Sequence, residues 1–125
     1  MITTVAVETL CDQQLAAEYN DVARYPYKLL NGDLRYDYDD RPAEYTVGKG
    51  HYKFFSDKLR WVFYRYQALF EECKRREIDV EYNWPTEGSL FLSAWNDWIP
   101  SPLALRVSRA RIRDRMPAKA IWSNS

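Results

Sequence analysis

Apolar positions recur at helical spacing in three places along the chain. From Phe54 to Arg76, the residues Phe55, Leu59, Val62, Tyr66, Leu69 and Cys73 alternate by fours and threes, which predicts one long helix with a buried stripe. From Thr9 to Arg24, the spacing of Leu15, Tyr19 and Val22 predicts another. Thr9 reads as its N-cap, and Asp12 three residues on as a variant of the capping box. A third helix is expected over 102–116, opened by Ser101-Pro102, where a helix tolerates proline, with Leu103, Val107 and Ala110 on one face. Residues 1–8, MITTVAVE, are β-branched and apolar; they are expected to run extended across the core and bring the amino terminus to the first helix.

Breakers separate these elements. Pro26 is expected to kink or end the first helix, Asn31-Gly32 marks a turn, and Pro42 and the Gly48-Lys49-Gly50-His51 turn follow. Glu81 to Asp97 is irregular, with Pro85, Gly88 and tryptophans at Trp84, Trp95 and Trp98. The expected fold is all-α: one compact domain over 1–125, monomeric, with three main helices and long irregular connections.

Composition narrows the function classes. There is no basic start followed by an apolar run and no stretch long enough to cross a membrane, so an intracellular protein with no membrane partner is expected. Cys11 and Cys73 are isolated and read as reduced core residues. With one histidine and no CxxC, a zinc site is not expected. No nucleophile motif accompanies His51, which reads as a hydrogen-bonded structural residue. Gly48-Lys49 lacks the rest of a phosphate loop. Asp33, Asp37 and Glu44 have a faint calcium-loop spacing, but Tyr38 stands where the loop needs glycine.

The net charge is zero, yet Leu103 to Lys119 holds six basic residues and one acid, a local +5 that suits a phosphate-binding surface. Arg111 and Arg115, spaced i to i+4, line one flank of the last helix beside Ser108; Arg106, Arg109 and Arg113 line the other. Either flank is a solvated surface or a contact for successive phosphates. Lys74, Arg75 and Arg76 suit the negative end of the helix dipole. Tyr25, Tyr27, Tyr36 and Tyr38 are either core aromatics or platforms for bases. On the first helix Gln13, Ala17, Asn20, Asp21 and Arg24 share a face, close to the chain's own amino terminus. A carboxylate beside a free amine is the minimum equipment for imine chemistry on a sugar.

Four blocks carry a family resemblance. LCDQQLAAEY, VGKGHYKFFSDKL, EECKRREIDV and WIPSPLALRVSRARI occur in the order of the motifs of the phage-type pyrimidine-dimer DNA glycosylases, the endonuclease V family of bacteriophage, and cover about half the chain. The resemblance implies a mostly helical domain acting on double-stranded DNA with a damaged or modified base, in the cytoplasm of a bacterial host if phage-encoded. It implies base excision and abasic-site lyase activity through an α-amine that forms an imine with the sugar, without metal or cofactor. Matched by position, the catalytic residues are Met1, Asp21 and Arg24, and the DNA-binding residues Gln13, Asn20, Arg24, Arg111 and Arg115.

Several matched positions depart from the family pattern. Asp21 stands where the family has its catalytic glutamate, Asn20 where it has an arginine and Gln14 where it has a histidine. Glu18 is not the catalytic acid. Ile2 is bulky, so Met1 is expected to be retained, and the leading segment is about one residue short for Met1 to serve. Only Lys119 to Trp122 resembles the family's aromatic tail. A catalytically impaired relative, binding DNA or a protein partner through the same surface, is the alternative.

Overall fold

A computed structural model describes residues 1–32, 40–86 and 93–123 of the chain. Its helices are α1 (Asp12–Leu30), α2 (His51–Phe54), α3 (Leu59–Arg75) and α4 (Pro102–Asp114), with 3-10 turns at Val7–Thr9 and Phe55–Asp57 and no strand among the described residues. The fold is all-α. Asp33, Tyr36, Asp37, Tyr38 and Gly88 lie outside the described residues.

The long stripe forms the core as the periodicity requires: Phe55, Leu59, Val62, Tyr66, Leu69 and Cys73 are all fully buried, packed with Leu15, Tyr19 and Val22 of α1. Both cysteines are free and buried. No helix among the described residues is long and apolar enough to cross a membrane.

Four features differ from the sequence expectations. First, α1 begins after Cys11, and Thr9 instead closes the preceding 3-10 turn, its hydroxyl donating to Ala6 O. Asp12 is bonded to Arg76 and to Ser123, so the C-terminal segment, and not a capping box, covers this helix end. Second, Pro26 sits inside α1, which continues to Leu30 because Tyr25 and Leu29, either side of the proline, both bury; Asn31 and Gly32 (φ +79°) then end the helix. Third, the helix expected from Phe54 is broken. A 3-10 turn and the non-helical Lys58 (φ −124°, ψ 38°) precede α3, and adjacent Phe54 and Phe55 both turn inward, ring against ring at 5.1 Å. Fourth, α4 buries Ala104 and Ser108 and leaves Leu103 about half exposed. Small residues there let α4 approach the amino-terminal segment closely enough for Ser108 Oγ to accept from Thr4 N at 3.1 Å.

Two guanidiniums anchor residues 1–12. Arg65, on α3, donates to Glu18 (2.7 Å), Val5 O and Thr3 Oγ1, and Thr3 donates to Glu18 (2.6 Å), which closes a buried network. Arg76, read from sequence as a dipole charge, is itself buried; it donates to Glu72 and to the carbonyls of Val7, Glu8 and Leu10. Together they satisfy backbone carbonyls that helices or strands satisfy elsewhere.

Candidate active site at the amino terminus

The leading segment is fixed residue by residue. Ile2 is completely buried. Its N–H donates to His51 Nε2 at 2.8 Å, and its carbonyl accepts from Tyr45 Oη at 2.8 Å. His51 holds its tautomer by bonding Thr46 O through Nδ1, and burial pushes its pKa below the ordinary histidine value, so the ring stays neutral and Nε2 remains an acceptor. The structural reading of His51 holds. Ile2 is bulky because it is a core residue.

With Ile2 pinned, the α-amine of Met1 has one place to go. It donates to Asp21 Oδ2 and, at 2.9 Å, to Tyr52 Oη; Tyr52 in turn donates to the same Asp21 oxygen at 2.5 Å. Despite the shorter side chain and shorter segment expected from sequence, carboxylate and amine meet, and the side chains of Met1 and Asp21 are each about one-fifth exposed. Burial lowers the pKa of the amine below its ordinary value. Glu18 pushes the other way, while Arg115 and Lys28 add to the lowering. The ion pair with Asp21 favours the ammonium, so the site balances a partly desolvated amine against a carboxylate.

Tyr52 was not legible as a site residue. What positions it is Gly50, whose φ of +87° starts α2 and whose missing Cβ would lie 2.7 Å from Pro42 Cγ. Tyr25 Oη donates to Tyr52 O, and the rings of Tyr25 and His51 pack against it.

Met1 opens onto a cavity of about 320 Å³ lined also by Gln13, Ala17, Glu18, Arg111 and Arg115. Met1 thus shares one cavity with Arg111 of α4 and with Arg115, the residue that caps that helix. Glu18 is committed to Arg65 and Thr3, a structural role. Gln13 lines the rim, but both ends of its amide hold the C-terminal segment, donating to Lys119 O at 2.8 Å and accepting from Ile121 N at 3.1 Å. Asn20 and Arg24 lie elsewhere: they line a second groove, about 740 Å³, between the later turns of α1 and residues 79–83. Tyr27 borders that groove, its hydroxyl on Asn83 Oδ1 at 2.9 Å, whereas Tyr25 is core.

The family model described as pyrimidine dimer DNA glycosylase matches residues 1–86, more than two thirds of the chain. The match includes the amino-terminal segment, α1, the Gly50–Tyr52 turn and α3, and ends before α4.

Proposed function

Because the chain belongs to the pyrimidine dimer DNA glycosylase family, we propose that it is a DNA repair glycosylase with abasic-site lyase activity whose nucleophile is the α-amine of Met1. The contact between that amine and Asp21, at the edge of a cavity rimmed by Arg111 and Arg115, carries the reading.

The chemistry follows from those groups. The neutral amine attacks C1′ of the damaged nucleotide. The glycosidic bond breaks, the base leaves with the bonding electrons and takes up a proton, and the opened sugar becomes an imine on the protein. Asp21 stabilises the cationic sugar and then accepts a proton from C2′; the 3′ phosphate leaves in the β-elimination that cuts the strand. Water hydrolyses the imine and frees the amine. Arg111 and Arg115 hold phosphates of double-stranded DNA, and Arg24 and Asn20, in the separate groove along the later turns of α1, offer a second contact to it. Gln13 contributes at the rim where its bonds to the C-terminal segment allow.

One observation favours the impaired relative: an ammonium paired to Asp21 is not nucleophilic until it loses a proton. The test is base release and strand cleavage on duplex DNA, one substrate bearing a pyrimidine dimer and one an abasic site. Asp21→Asn is expected to slow strand cleavage by about 10²–10⁴-fold, the usual contribution of a general base. Cleavage by the wild type that Asp21→Asn leaves unchanged contradicts the assignment, and a wild type that cleaves neither substrate leaves the binding-only relative.

A further inference from the structure

The Met1 nitrogen, Asp21 Oδ2 and Tyr52 Oη stand within hydrogen-bond distance of one another, with both oxygens on the same side of the nitrogen. Tyr52 donates to the oxygen that Met1 contacts, so a single phenol ties nucleophile and carboxylate to each other. Removing the Tyr52 hydroxyl would take away one of the two groups that hold the amine and one of the donors to the carboxylate.

Resting on the imine reaction proposed above, we infer that Tyr52 is a catalytic residue: its hydroxyl, bonded to both the α-amine of Met1 and the carboxylate of Asp21, holds nucleophile and carboxylate beside each other. Its own surroundings suit that role. Tyr52 is anchored through its carbonyl by Tyr25 and through its ring by His51, 4.9 Å away edge-on, so the hydroxyl is the free end of a fixed lever. Burial raises the pKa of the phenol, with Arg115 opposing, so it remains a donor to Asp21 across neutral pH. Lys28, whose ammonium lies 5.9 Å over the ring, faces it from α1.

The test uses Tyr52→Phe, which keeps the ring and its packing. Single-turnover borohydride trapping on duplex DNA with an abasic site is expected to slow by about 10–100-fold, the scale of a nucleophile misplaced by up to 1 Å. Duplex affinity by fluorescence anisotropy and the melting temperature are expected to stay at wild-type values. A second measurement needs no DNA and no variant. In protein labelled at the tyrosine ζ carbon, the Tyr52 resonance is expected to titrate with the α-amine and to stop titrating when the amine is acetylated. An active wild type with Tyr52→Phe trapping at the same rate overturns this inference alone. A wild type that never traps overturns the imine reaction, and the catalytic role with it. A Tyr52 resonance indifferent to acetylation shows that the hydrogen bond is absent and overturns the inference whatever the kinetics.

Discussion

Asp21 and the α-amine define the account at the scale of single residues, and the protonation state of the amine sets when the site can react. Only the neutral form attacks, so trapping should fall as pH drops through the amine's pKa. Burial, helped by Arg115 and Lys28 and opposed by Glu18, lowers that pKa, which moves the acid limb to lower pH than an ordinary α-amine would give. Removing Arg115 takes away a lowering influence, so Arg115→Ala should move the limb to higher pH. A pH series of single-turnover trapping rates with the protein well below saturation of its DNA binding, where the rates follow the free protein, checks both; an unmoved limb contradicts the electrostatic reading. These residues were legible in sequence because each sits in a motif: Asp21 on the first-helix face, Arg111 and Arg115 at i, i+4. Tyr52 was not, since no periodicity links it to positions 1 and 21. Arg76 was misread, because a basic residue in a last helical turn looks the same whether it faces water or a buried carboxylate.

At the scale of elements, helix ends decide where the site residues sit. The end of α3 closes on Glu77, which has φ +60°; Ile78 N bonds Cys73 O at 2.8 Å and Glu77 N bonds Lys74 O at 3.0 Å, the pattern of a left-handed cap that glycine ordinarily fills. The left-handed cost for a non-glycine residue is about 1–2 kcal/mol, and the extra backbone entropy of glycine offsets part of it. Glu77→Gly should therefore stabilise the protein by up to about 1 kcal/mol. Gly50→Ala should do the reverse, by at least about 1–2 kcal/mol, because it combines a positive φ with the approach to Pro42. Urea denaturation of both variants tests the pair, and equal midpoints for all three proteins would contradict these backbone assignments. The α3 stripe was read correctly because six buried positions repeat one period. The boundaries were not: the start of α1 is set by contacts from residues 76 and 123, and the break before α3 by the packing of two adjacent phenylalanines, neither of which is local in sequence.

For the whole molecule, a neutral chain concentrates a net +5 in one segment, residues 103–119. Binding to duplex DNA should accordingly depend on salt through a few contacts. Each phosphate contact contributes about 0.9 to the slope of log affinity against log salt, so Arg111→Ala and Arg115→Ala should each flatten that slope by about one without lowering the melting temperature. An unchanged slope makes them plain surface charge. The all-α architecture and the meeting of the leading segment with the first helix were both legible in sequence, because β-branched residues 1–8 could reach α1 only by crossing the core. How that segment is held was not legible, since Tyr45 and His51, Arg65, and Ser108 converge on it from three separate stretches. The central claim is that this packing delivers the α-amine as nucleophile. Borohydride trapping on abasic-site duplex DNA, followed by mass spectrometry of the cross-linked peptide, tests it most directly. The account predicts an adduct on the Met1 nitrogen that is lost on acetylation of the amino terminus; an adduct on an internal lysine, or trapping that survives acetylation, would contradict it.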